Sequence, residues 1–179
     1  MKFEQIFAED YPENKIVSFY YESDNYYDIE AVKHGEGWTF NVVLKRFRKT
    51  FVKNVKEEVF ASYKEPAEYH VVKTSEGEEI GHLVISKQDW NKTTRIWDIG
   101  VDNRYQRRGI GTEMIKLAEK RAKAWDHRAL VLETQSSNYK AIQFYLKQGF
   151  ELRGLDMASY SNEDVEKHEV RFEMYRLLR

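Results

Sequence analysis

Between Val101 and Thr112 the chain reads Val-Asp-Asn-Arg-Tyr-Gln-Arg-Arg-Gly-Ile-Gly-Thr. A strand-like run, RIWDIGV at 95–101, enters this segment. A pattern at helical spacing leaves it, through Ile110, Met114, Leu117, Ala118, Ala122 and Trp125. The start of a helix presents unpaired backbone N–H groups and the positive end of its dipole to one point. Gly109 and Gly111 let backbone approach a ligand with no Cβ in the way. Arg107 and Arg108 add charge that suits a phosphate. The segment is neither a Walker loop, which needs Gly-Lys-Ser/Thr, nor a dinucleotide fingerprint, because Met114 stands where the third glycine belongs. An ordinary strand-to-helix turn would also carry two glycines, so spacing alone leaves both readings open.

Two carboxylates sit inside apolar runs: Asp98 between Trp97 and Ile99, and Glu133 in ALVLET at 129–134. Burying a carboxylate is costly unless it is paired or used. Either residue therefore suits a general base, a site for a cation, or a brace for the fold. The five histidines (34, 70, 82, 127 and 168) have no metal-ligand spacing, and His168-Glu169 lacks the second histidine of a zinc motif. They read as structural or exposed. With no Cys, disulfides, thiolate metal sites and cysteine nucleophiles are excluded. A serine elbow of the form G-x-S-x-G is also missing.

The elements that would position these groups follow from pattern. EYHVVKT and IGHLVIS read as strands joined by a hairpin turn at SEGEE, which carries Gly77. The 95–101 strand, the loop, a helix from about 110 to 125, the strand at 129–134 and a helix from Asn138 to Gln148 come next, the last ended by Gly149. That order predicts a parallel strand pair with a right-handed crossover beside antiparallel neighbours. Two β-type stretches, FELRGLDMASY and HEVRFEMYRLL, finish the chain. Residues 1–35 read as strand or loop. In 38–64 the spacing of Phe40, Val43, Leu44, Phe47, Phe51 and Val55 is close to helical, and its basic residues read as a solvated face. The fold class is mixed α and β.

The chain as a whole sets the boundaries. Its 179 residues suit one domain, 1–179, and no Pro, Gly or Ser-rich stretch marks a boundary. A chain of this length buries roughly two-thirds of its unfolded surface, so no staple is needed. The formal charge of −1 removes the electrostatic argument for a nucleic-acid binder. No apolar run is long enough to span a membrane, and the acidic N-terminus does not read as a signal peptide. A cytoplasmic protein without a membrane partner is expected. Nothing sets the oligomeric state, and a homodimer is compatible with the sequence.

Gln106-x-x-Gly109-x-Gly111, between its strand and its helix, resembles the pyrophosphate loop of the GCN5-related N-acetyltransferase (GNAT) superfamily. Asn138-x-x-Ala141-x-x-Phe144-Tyr145-x-Lys147-x-Gly149-Phe150 resembles that superfamily's second signature. Within the superfamily, LVLETQ at 130–135, Trp38-Thr39-Phe40, Trp90-Asn91, Asp98-Ile99-x-Val101 and the stretch ending near Tyr160 are similar to streptothricin acetyltransferases. The resemblance implies a GNAT-type fold, with a central mixed sheet whose bulged 96–101 strand splays from 129–134, flanked by helices. It implies acetyl-CoA as co-substrate, with no metal. The backbone near Ile99 and Val101, the segment Gln106, Arg107, Arg108, Gly109, Ile110, Gly111 and Thr112, and Asn138 and Lys147 would bind it.

Acetyl transfer to an amine needs the amine neutral, a donor for the oxyanion, and a proton for the leaving thiolate. The resemblance places the Val101 backbone N–H at the oxyanion and Tyr145 at the thiolate. Asp98 ranks ahead of Glu133 as base, with a water relay as the alternative. Asp98, Glu133 and Tyr160 are expected around a small cationic acceptor of the streptothricin type. Two alternatives remain open: a protein or peptide N-acetyltransferase, and a non-catalytic acyl-CoA-binding regulator. The first would need an open groove for an extended backbone, which aromatic loops at Tyr20-Tyr21 and Tyr26-Tyr27 would instead close.

Overall fold

The structure is a computed structural model that describes residues 1–64 and 66–178. Nine strands and two α-helices are present among them: β1 (Lys2–Ile6), β2 (Ile16–His34), β3 (Gly37–Glu58), β4 (Ala67–Lys73), β5 (Glu79–Gln88), β6 (Thr93–Val101), α1 (Ile110–Ala124), β7 (Ala129–Gln135), α2 (Tyr139–Lys147), β8 (Glu151–Asp156) and β9 (Arg171–Leu177). A seven-stranded mixed sheet runs in the order β1-β4-β5-β6-β7-β9-β8, and β2 and β3 form a two-stranded sheet. The chain divides into two compact units. Met1–Phe19, Val55–Leu132 and Tyr175–Arg179 form the first; Tyr20–Asn54 and Glu133–Met174 form the second.

In the first unit, β1, β4, β5 and β6 make an antiparallel ladder. Alternation along β4 and β5 sends Tyr69, Val71 and Val84 to one face, where they join Ile6, Val59 and Phe60 in a core cluster. Helix α1 packs on β5 and β6. It buries Ile110, Met114, Ile115, Ala118 and Ala122, a single stripe at helical spacing. The expected parallel pair is present: Thr93–Ile96 lie beside Ala129–Leu132, joined through α1. One extra residue, Trp97, bulges from β6 where Val84 pairs with Asp98 and Ile85 pairs with Ile96.

The second unit holds most of the β2–β3 hairpin, α2, β8 and most of β9. The helical expectation for 38–64 is wrong, because 37–58 is one long strand. Its spacing mimicked a helix because apolar residues fall on both faces of a ribbon that is largely exposed. Val42, Val43, Phe47, Phe51, Val52 and Val55 are the β-branched and aromatic types that strands favour. Tyr20, Tyr21, Tyr26 and Tyr27 likewise lie on β2 rather than on loops. Within this unit the hairpin is anchored by ring contacts of Tyr26 with Phe47 and His168, and by the Tyr27 N–H donating to the Ser136 carbonyl at 3.0 Å. No helix among the described residues is long and apolar enough to cross a membrane.

Candidate active site

In the first unit, β6 delivers the chain to a short 3-10 turn at Asn103–Tyr105, and α1 begins at Ile110. The turn is braced by its own side chains. The Asp102 carboxylate accepts from the Arg104 backbone N–H at 2.9 Å, and Gln106 Nε2 donates to the Val101 carbonyl at 3.2 Å and to Asn103 Oδ1 at 2.7 Å. Gln106 thus ties the loop to the end of the strand. Gly109 caps α1 at φ 84°, in left-handed space, and a Cβ there would meet nothing within 4 Å. Arg107 adopts φ 60°, which is strained for a residue with a Cβ. Arg107 and Arg108 are exposed, whereas Ile110 is buried beneath the first turn. Open space, free first-turn amides and two unburied guanidinium groups fit a pyrophosphate such as that of acetyl-CoA. Gly111 and Thr112 continue the first turn and are half-buried.

Upstream on β6, Ile99 and Val101 are half-buried and paired in register with β5. Asp98 is 4% exposed, and its Oδ2 lies 2.5 Å from the ammonium of Lys64, which is 1% exposed. Lys64 also donates to the Glu58 carbonyl at 3.0 Å. Burial pushes the Asp98 carboxyl up to about 6, against the pull of Lys64. On the same face His82 lies over Gly100, where a Cβ would come 2.3 Å from His82 Cε1. A larger residue there requires the His82 ring to shift. The His82 ring has a buried Nε2 without a hydrogen-bond partner among the described residues, and burial pushes its pKa down to about 4.

In the second unit Asn138 caps α2, its Oδ1 accepting from the Ala141 N–H at 3.4 Å. Tyr145 is buried on α2 between the rings of Phe144 and Phe150. Lys147, in the last turn, is exposed. Glu133 and Tyr160 are brought together: the Tyr160 hydroxyl donates to Glu133 Oε1 at 3.0 Å, and the Arg171 guanidinium lies 2.9 Å from Glu133 Oε2. Tyr160 sits beyond β8 rather than on it. Burial and the Glu133 charge raise its pKa, so it keeps its proton. A separate groove of about 390 Å³, lined by Phe40, Val42 and Leu152–Leu155, contains none of these residues. Among the described residues, no group of His, Asp and Glu gathers to hold a metal ion.

Sequence reasoning missed Lys64 and Arg171, the partners of the two strand carboxylates. Lys64 lies 34 residues from Asp98 and Arg171 38 residues from Glu133, so no local spacing links them. The cost of an unpaired buried carboxylate did require that some cation serve Asp98.

Residues 3–150 match the family model described as the acetyltransferase (GNAT) family. Streptothricin acetyltransferase A of Bacillus subtilis (strain 168) is 32% identical over 136 residues, covering 75% of this chain and 76% of that protein. The crystal structure of nourseothricin acetyltransferase superposes with a TM-score of 0.82 at 22% identity, over 99% of this chain and 98% of that one. A Bacillus anthracis str. Ames protein solved in complex with acetyl coenzyme A gives 0.76 at 21%, over 99% and 97%. The phosphate-ready loop at the head of α1, the parallel pair of β6 and β7 joined through that helix and the family match lead to one conclusion: the chain belongs to the acetyltransferase (GNAT) family and is an acetyl-CoA-dependent N-acetyltransferase.

Proposed function

We propose that the acceptor is a small cationic amine of the streptothricin type, and that acetylation removes one of its charges as a means of antibiotic resistance. The observation that carries this reading is Glu133: a carboxylate with 30% of its side chain accessible, oriented by Tyr160 and Arg171, where an ammonium group can be received. The name of the Bacillus subtilis relative supports the same acceptor class. We take both units to act as one acetyltransferase domain, working in the cytoplasm.

When bound, acetyl-CoA supplies the acyl thioester. Arg107, Arg108 and the amides of Gly109 to Thr112 hold its pyrophosphate, with Lys147 and Asn138 as further contacts. The backbone N–H groups near Ile99 and Val101 stabilise negative charge at the acyl oxygen. Tyr145 donates a proton to the sulfur. Glu133 takes the proton of the incoming amine, directly or through water. Asp98, paired with Lys64 inside the first unit, braces β6 where it bulges and serves as a base only if Lys64 yields it.

A turnover screen with acetyl-CoA against streptothricin, aminoglycosides, polyamines and peptides tests the reading. Streptothricin should be acetylated with the highest kcat/KM. Preference for a peptide N-terminus would replace the acceptor assignment. Acetyl-CoA binding without turnover of any amine would leave only a binding protein.

A further inference from the structure

The loop between β6 and α1 carries Arg104, Arg107 and Arg108, and neighbouring side chains give the first and last of them different tasks. Arg104 is engaged inside the loop. Its Nη2 donates to Glu78 Oε1 at 2.8 Å and to Asp102 Oδ2 at 2.9 Å, and its Nε donates to Asp102 Oδ1 at 3.1 Å. Arg108 instead lies over the ring of Tyr105, 5.0 Å from its centroid. The face of a ring attracts the guanidinium charge but offers no lone pair, so this contact leaves the donors of Arg108 for phosphate oxygens.

Tyr105 is itself held. Its hydroxyl donates to Glu78 Oε2 at 2.6 Å. Glu78 stands in the turn between β4 and β5, where the Thr74 N–H donates to the Glu78 carbonyl at 2.9 Å and the Glu78 N–H donates to Thr74 Oγ1 at 3.3 Å. The Asp102 N–H donates to the Ile80 carbonyl at 2.9 Å, which ties the start of the loop to β5. All of these residues belong to the first unit. The Glu78 carboxylate alone would repel a phosphate, but Arg104 on its other oxygen offsets that charge. An exposed arginine loses rotamer freedom when it binds a ligand, and one already seated on a ring loses less. We propose that Tyr105 is a positioning residue for acetyl-CoA, its hydroxyl fixed by Glu78 so that its ring holds the Arg108 guanidinium ready for the pyrophosphate. This assignment rests on the reading of residues 106–112 as the phosphate site.

Calorimetry with acetyl-CoA on a double-mutant cycle of Tyr105→Leu and Arg108→Met tests it. Neutral Tyr105 acts on affinity through contact rather than through the charge of the loop. Tyr105→Leu should weaken acetyl-CoA binding roughly two- to fivefold, the scale of an exposed cation–π contact. Arg108→Met should weaken it at least about tenfold, the scale of charge-assisted hydrogen bonds. In the Arg108→Met background, Tyr105→Leu should cost nothing further, because Tyr105 then has no guanidinium to hold. Tyr105→Phe keeps the ring but frees it from Glu78, and should fall between wild type and Tyr105→Leu. Equal losses from Tyr105→Leu in both backgrounds would reduce Tyr105 to a structural part of the loop and overturn the assignment. So would a Tyr105→Leu variant that binds as wild type does while Arg108→Met binds weakly. Unchanged affinity in Arg108→Met would instead remove Arg108 from the phosphate site, and this assignment with it.

Discussion

Gly109 and Tyr145 make different demands on their sites. Gly109 stands at φ 84° with open space where a Cβ would be, so a larger side chain is opposed by backbone conformation and by whatever occupies that space. Gly109→Val should destabilise the fold by about 1–3 kcal/mol, the cost of a sparsely populated backbone state. It should also weaken acetyl-CoA binding at least tenfold by calorimetry; unchanged affinity would remove the loop from the phosphate site. Tyr145→Phe keeps the ring packed between Phe144 and Phe150 and deletes only the hydroxyl. Turnover should fall while acetyl-CoA affinity stays nearly constant. If chemistry is rate-limiting and kcat does not change, Tyr145 is a packing residue.

At the scale of elements, the buried pair between the segment after β3 and strand β6 is the most sensitive joint. Lys64→Met would leave Asp98 ionised or protonated inside the core without its partner. The expected cost is about 3–5 kcal/mol in urea unfolding, whereas replacing both residues by apolar ones of similar volume should restore much of it. Equal losses in the single and double variants would show that the pair is not the cause. The elements around the phosphate loop were legible in the sequence because each carries its own local signal. The stripe from Ile110 to Ala122, the Asn138 cap and the stop at Gly149 need no distant partner to be recognised. Strand β3 was not legible. Its pairing with β2 is a property of two segments together, and its exposed apolar residues break the alternation that marks a half-buried strand. The clamp on Glu133 was hidden for the same reason, since Tyr160 and Arg171 reach it only through the fold.

For the molecule as a whole, two buried groups titrate with opposite sign. His82 is pushed down to about 4, so between pH 4 and 6.5 the unfolded chain binds the extra proton and stability rises with pH. Asp98 is pushed up to about 6, so between pH 3.8 and 6 the folded chain binds the extra proton and stability falls as pH rises. The two slopes oppose each other. His82→Gln removes the first and should leave unfolding free energy declining more steeply, relative to wild type, from pH 4 to 6 in urea titrations. A parallel pair of curves would mean that His82 is protonated equally in both states. The bulge at Trp97 has a consequence in time rather than in energy. Trp97 has no opposite number on β5, so the β5–β6 ladder is broken for one step between Ile96 and Asp98. The Trp97 amide should exchange with deuterium well ahead of those of Thr93–Ile96. Protection of Trp97 equal to that of Ile96 would mean that the bulge does not open.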